Sequence, residues 1–163
     1  MIELNKEESR VLVVDDEESL RLTFKPFLSR EGYGPVTVAS TFDEALHLIE
    51  NNTYDLIVSD ISMPEMDGFE FFQAVRARPE GITIPFIFLT ARGERQDIMK
   101  GRSMGAEDYL VKPVTRSELV TAVESRLVRF RQLQAAQMEA AYQYALTALA
   151  NGIEVRDHYT RGH

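Results

Sequence analysis

Cysteine is absent from the 163 residues. Its absence excludes a disulfide scaffold, a Cys-ligated zinc site and a cysteine nucleophile. Long apolar runs are absent too, since no stretch reaches the roughly 18 residues that a membrane-spanning helix needs. Met1 is not followed by a basic stretch and an apolar segment, so no signal peptide is expected. The expected compartment is therefore the cytoplasm, with no membrane contact. Basic charge is scarce in the first part of the chain. Residues 1–115 hold 12 Lys/Arg against 21 Asp/Glu, a balance of −9, while residues 116–163 hold 6 against 5, a balance of +1. Phosphate neutralisation needs clustered Lys/Arg, so direct binding of nucleic acid is not expected.

What is present is globular text. Hydrophobic residues make up 44% and charged residues 27%, both ordinary for a folded domain. The length suits one core with some chain to spare. Short apolar runs punctuate residues 1–115: Val11–Val14, Val36–Ala39, Leu56–Val58, Ile84–Leu89 and Tyr109–Val111. They are continuous rather than alternating, as strands buried on both faces are. Helix-length segments lie between them, at about 17–31, 41–51, 67–78 and 94–103. Ser40 or Thr41 is an N-cap for the second, and Gly32, Gly34 and Pro35 stop the first. Strands alternating with helices predict a doubly wound α/β fold with a five-stranded parallel sheet.

The texture changes after Lys112-Pro113. Thr115 to Glu118 reads as a capping box. No Gly or Pro follows until Gly152, and the segment is rich in Ala, Gln, Leu, Arg and Glu. A helix longer than one sheet face requires is expected, extending the domain. The set Val120, Val123, Leu127, Phe130, Gln134, Gln137, Ala141, Tyr144 gives a weak heptad pattern, compatible with a coiled-coil dimer. The expected organisation is a domain over 1–130, a helical linker or coiled coil over 131–152, and over 153–163 the polar start of a further segment, with His158 and His163 in a frayed end.

In this architecture ligands sit at the carboxyl ends of the strands. The first strand ends in Asp15-Asp16, the third at Asp60, the fourth at Thr90-Ala91 and the fifth at Lys112-Pro113. Acidic residues at strand ends also serve helix dipoles, and Asp15 to Glu18 alone would suit that role. The joint placement points further. Clustered carboxylates repel and call for a cation. Mg²⁺ prefers oxygen ligands and shares sites with phosphoryl groups. Lys112 adds an ammonium and Thr90 a hydroxyl donor. These are the parts for in-line phosphoryl transfer onto a carboxylate.

The stretches Val11 to Glu17, Tyr54 to Gly68, Phe88 to Ala91 and Gly105 to Pro113 together resemble the receiver domain of two-component response regulators, over roughly residues 8–130. The resemblance implies a flavodoxin-like sheet of strand order 2-1-3-4-5. It implies that Asp60 is the phosphoacceptor, in a phosphorelay from a sensor histidine kinase or phosphotransfer protein. Asp15, Asp16, Asp60 and the main-chain carbonyl of Ser62 would hold Mg²⁺, or Mn²⁺ in its place. Lys112 would pair with the phosphoryl group across a cis peptide bond to Pro113. Thr90 and Tyr109 would form the switch, with Tyr109 turning from an outward to an inward rotamer. A homodimer would form through the face of the fourth helix, fifth strand and following helix (near 92–104 and 109–126), or through the C-terminal helix. Arg92, Arg95, Lys100 and Arg102 make that face basic.

Residues 148–163 resemble the start of an HD-GYP domain, a metal-dependent cyclic-di-GMP phosphodiesterase. His158 stands where that family has proline, and His163 would be an early metal ligand. One ligand makes no site, so these 163 residues are not expected to act as an enzyme beyond self-phosphorylation and dephosphorylation at Asp60. Two other readings stay open. One is a stand-alone receiver that acts by docking on other proteins. The other is a phosphatase of the haloacid-dehalogenase type, which would want a second Asp where Ser62 stands.

Overall fold

The computed structural model describes residues 3–64, 67–91 and 108–161. The helix expected near 94–103 lies outside the described residues. Parallel strands β1 (Val11–Val14), β2 (Val36–Ala39), β3 (Leu56–Asp60), β4 (Phe86–Thr90) and β5 (Asp108–Val111) form one sheet in the order β2-β1-β3-β4-β5. The helices are α1 (Glu18–Arg30), α2 (Phe42–Asn51), α3 (Gly68–Arg76) and α4 (Arg116–Arg161). The chain divides into two compact units, one from Glu3 to Leu127 and one from Val128 onward.

The strand alternation divides the core of the first unit into two. Leu12, Val14, Ile57, Phe86 and Phe88 point to one face and pack with Phe42, Ala45 and Ile49 of α2 and Phe69, Phe71, Phe72 and Val75 of α3. Val11, Val13, Leu56, Val58, Ile87 and Leu89 point to the other face. There they meet Phe24 and Leu28 of α1 and Leu119, Ala122, Val123 and Leu127 of α4. The strands are buried on both faces because helices cover both, which is why their sequences do not alternate.

Local signals set the boundaries. Thr41, rather than Ser40, caps α2, accepting from the Glu44 amide at 3.1 Å. The capping box forms at α4: Thr115 Oγ1 accepts from the Glu118 amide, and a Glu118 carboxylate oxygen accepts from the Thr115 amide, both at 3.2 Å. Gly32, at φ 91°, takes the left-handed turn that closes α1.

The second unit departs from the expectation. α4 runs without interruption through Gly152 to Arg161, so His158 lies within a helix rather than in a frayed end. A single exposed glycine with negative φ costs a helix only about 1 kcal/mol relative to alanine, too little to stop it. Among the described residues no helix is long and apolar enough to cross a membrane.

Candidate functional site

All strands are parallel, so their carboxyl ends share one edge of the sheet. The register sets Val14 beside Ala39 and Ser59, Asp60 beside Leu89, and Thr90 beside Val111. Asp15 follows β1 directly and its amide donates to the Ala39 carbonyl at 3.1 Å. Asp60 is the last residue of β3, and Ile61 is tied to the Leu89 carbonyl at 3.1 Å. The amide of Lys112 donates to the Thr90 carbonyl at 2.7 Å, and the Lys112-Pro113 bond is cis, as the resemblance implied. Three main-chain bonds therefore tie all four strand ends.

Gly68 closes the loop after Asp60. A Cβ there would lie 2.7 Å from the Asp60 carbonyl oxygen and 2.7 Å from Ile61 Cα, both backbone atoms, so only glycine admits α3 so close to β3. The adjacent Asp67 caps α3 by accepting from the Phe69 amide at 2.9 Å.

The carboxylates of Asp15, Asp16 and Asp60 converge, with ligand oxygens all within 4.8 Å of one another. Asp15 is fully buried, Asp60 nearly so, and Asp16 is exposed. The Lys112 ammonium reaches in at 3.0 Å from Asp15 Oδ2 and 3.2 Å from Asp60 Oδ2. Burial pushes the Asp15 and Asp60 carboxyls above the usual aspartate value. The charge of Asp60 adds to the rise at Asp15, and that of Asp16 to the rise at Asp60. Lys112 and the amides of Glu17 and Ser62 pull in the other direction without cancelling it. Burial alone would lower the Lys112 ammonium; the Asp15 and Asp60 carboxylates outweigh it and hold the lysine above its usual range. Three converging carboxylates short of positive charge fit a hard divalent cation. Asp15, Asp16 and Asp60 would hold it, with the Ser62 carbonyl on the loop just beyond.

A stability prediction follows from the raised carboxyls. Between the ordinary aspartate pKa and the raised folded values, the folded state binds more protons than the unfolded one, so this site costs stability as pH rises. Without divalent cations, Asp60→Asn should therefore melt at a higher temperature than the parent at neutral pH. The gap should widen as pH rises from about 4 to 7. Thermal melts in chelator across that range check it, and a constant gap would refute it.

The remaining expected residues are placed as follows. Thr90 is buried at the end of β4 and its hydroxyl donates to the Ala91 carbonyl at 3.2 Å. Tyr109 is half-buried, its ring stacked on Phe88 at 5.8 Å between centroids, an inward position rather than an outward one. Arg92, Arg95, Lys100, Arg102 and His163 lie outside the described residues, and His158 falls within α4. Two residues had no assigned role in the sequence reading. Glu17 shares the Lys112 ammonium at 3.2 Å, and Arg21 donates to the Asp15 carbonyl at 2.6 Å. Arg21 had a sequence signal: it sits in the first turns of α1, six residues after Asp15, within reach of the strand end.

Comparison with known proteins agrees with this geometry. The profile of the response regulator receiver domain matches residues 11–124. The chain is 43% identical over 120 residues to an uncharacterized 14.6 kDa protein of Leptolyngbya boryana, covering 74% of this chain and 91% of that one. It is 34% identical over 119 residues to a probable chemotaxis protein CheY of Rhizobium etli, covering 73% and 92%. Among solved structures, chemotaxis protein CheY4 of Vibrio cholerae superposes with a TM-score of 0.68 at 34% identity, covering 72% of this chain and 98% of that one. The sheet order, the acidic edge and these matches agree: the chain belongs to the response regulator receiver domain family of two-component systems.

Proposed function

We propose that this chain is a phosphoacceptor switch fed by a sensor histidine kinase or phosphotransfer protein. The partner presents a phosphohistidine. A carboxylate oxygen of Asp60 attacks phosphorus in line; the P–O bond forms as the P–N bond breaks, and the imidazole leaves with the bonding pair. Lys112 stabilises the equatorial oxygens, and the Thr90 hydroxyl donates to the transferred group. Mg²⁺, or Mn²⁺ in its place, held by Asp15, Asp16, Asp60 and the Ser62 carbonyl, would supply further positive charge. The observation that carries this reading is the Lys112 ammonium 3.2 Å from Asp60 Oδ2, inside a carboxylate cluster built for one more cation.

Phosphorylation adds a charge of about −2 less the metal's compensation, and Thr90 and Tyr109 report it. Self-phosphorylation and dephosphorylation at Asp60 are the only chemistry assigned to these residues, and the cytoplasm is the assigned place. The output assigned to the natural protein is an HD-GYP cyclic-di-GMP phosphodiesterase. It rests on the resemblance of residues 148–163. In a pair of copies, phosphorylation would reset how the linking helices pair.

With Mg²⁺ and acetyl phosphate the chain should gain one phosphoryl mass, and Asp60→Asn should gain none. An equal gain in the variant would move the acceptor elsewhere. The output assignment has its own check, the coding frame beyond His163, where a His-Asp pair and a Gly-Tyr-Pro loop are expected. Their absence there removes it.

A further inference from the structure

A cavity of about 500 Å³ opens beside the carboxylate cluster, between α1 and the segment that follows β5. Its apolar walls are Leu20 and Phe24 from α1 and Pro113 and Val114 from that segment, and Thr23 and Ala91 complete them. Leu20 and Phe24 stand one helical turn apart and share a face. Phe24 is buried, and Leu20 and Val114 are half-buried in the same core layer, so packing holds the walls in place. The Thr23 hydroxyl donates to the Ser19 carbonyl at 2.7 Å and asks for no polar partner inside. Two lining residues, Glu17 and Lys112, also belong to the reaction centre. The Lys112 ammonium lies 3.2 Å from Asp60 Oδ2, and a Glu17 carboxylate oxygen lies 3.2 Å from that ammonium. The cavity therefore adjoins the place where the phosphoryl group is transferred, and the transfer itself leaves it unused.

We propose that this cavity seats the apolar acyl group of a small, neutral-tailed acyl phosphate, so that donors with longer acyl chains than acetyl are preferred. The inference rests on Asp60 as phosphoacceptor and names the class of small donor for that same site. A carboxylate oxygen of Asp60 attacks phosphorus. The new P–O bond forms as the bond to the acyl oxygen breaks, and the acyl carboxylate leaves with the bonding pair. No proton and no further reactant is needed. Lys112 sets the phosphoryl end. A short acyl group then stays at the mouth of the cavity, and a longer one reaches the walls formed by Leu20, Phe24 and Val114.

Charge selects the kind of tail. Among the lining residues only Glu17 and Lys112 are charged. The ammonium is engaged by Asp15, Asp60 and Glu17, so the lining holds no second cation to receive a carboxylate or another phosphate on the donor. The Glu17 side chain, 56% exposed, repels either. The tail is therefore neutral and apolar. Size agrees, since the volume lies in the range that takes small organic ligands and exceeds what an acetyl group fills. Each methylene withdrawn from water there gives about a threefold gain in capture. The gain is the same in ground and transition states, so it lowers the half-saturating donor concentration and leaves the maximal rate unchanged.

Acetyl, propionyl and butyryl phosphates release carboxylates of nearly equal basicity, so their chemical steps are matched and differences report binding. With the full chain and Mg²⁺, phosphoryl mass gain per unit donor concentration should rise about threefold per added methylene, roughly tenfold from acetyl to butyryl. Benzoyl phosphate should outrun para-carboxybenzoyl phosphate, whose carboxylate meets Glu17; equal rates overturn the neutral tail. Thr23→Trp, at an exposed helix position, fills the cavity and should bring the butyryl-to-acetyl ratio close to one. The ratio is taken within one variant, so any general change in uptake cancels. Val114→Thr keeps the shape, puts a hydroxyl in the wall and should lower the ratio in part. A flat acyl series in the parent overturns the proposal and leaves the cavity to a protein donor. A rising series that Thr23→Trp leaves unchanged overturns it too, since the preference then arises elsewhere. Uptake at Asp60 from every donor with a flat series sinks the acyl preference alone, whereas a mass gain that persists in Asp60→Asn sinks the phosphoacceptor reading.

Discussion

Lys112→Met should cut phosphoryl uptake from acetyl phosphate by about 10²–10³-fold, the loss expected for one preorganised group facing developing charge. The same substitution should loosen the domain. The ammonium contacts Asp15, Asp60 and Glu17 at 3.0, 3.2 and 3.2 Å. Asp15 is fully buried, so removing its counter-charge leaves a carboxylate with neither water nor a cation. Breaking such a buried pair costs about 3–5 kcal/mol, lessened where the carboxyls take up protons instead. Metal separates the two effects. Saturating Mg²⁺ should restore most of the lost melting temperature, because any cation offsets the carboxylates. It should not restore the rate, because the positive charge opposite the transferred oxygens is still missing. Stability and uptake measured in parallel, with and without Mg²⁺, check this. Recovery of both by metal alone would show that Lys112 acts only as a counter-ion.

The sequence carried the sheet well, because each strand is a short continuous apolar run and the helices on both faces demand such runs. Three strands nevertheless differ at their ends: β3 continues to Asp60, β4 starts at Phe86 rather than Ile84, and β5 starts at Asp108. These ends are set by hydrogen-bond pairing with neighbours, as when Ile57 pairs with the Pro85 carbonyl, and pairing has no local signature. The candidate site was legible because its residues stand at strand ends in chain order. Glu17 and Arg21 were not assigned, since their roles depend on long side chains reaching across the loop, toward Lys112 and the Asp15 carbonyl. The weak heptad set of α4 is divided for a different reason: Val123 and Leu127 pack on the sheet, whereas Gln134, Gln137, Ala141 and Tyr144 are exposed. Periodicity shows that a helix is amphipathic, but the sheet consumes one apolar set and leaves another exposed, and only packing divides them.

Phe88→Ala should cost about 3–5 kcal/mol, a large share of the about 5–15 kcal/mol that holds an ordinary domain. Phe88 is fully buried in β4 and packs against Phe69, Phe72 and Phe86 at 5.5, 5.8 and 5.6 Å between centroids. Its other side meets the Tyr109 ring at 5.8 Å. Truncation removes the ring's transfer free energy and opens a cavity that strands pinned on both sides cannot collapse into. Phe88→Leu keeps most of the volume and should cost about 1–1.5 kcal/mol. Urea melts should show lower midpoints in that order at unchanged slope. The two variants also separate packing from switching. Phe88 is the floor on which Tyr109 rests, so its truncation should free the tyrosine ring. Its fluorescence or ring-proton signals should then shift in Phe88→Ala even under conditions where the domain stays folded. In Phe88→Leu they should move less. A full loss of stability with unchanged Tyr109 signals would mean that the tyrosine is held by other neighbours, and that β4 does not link the core to the switch.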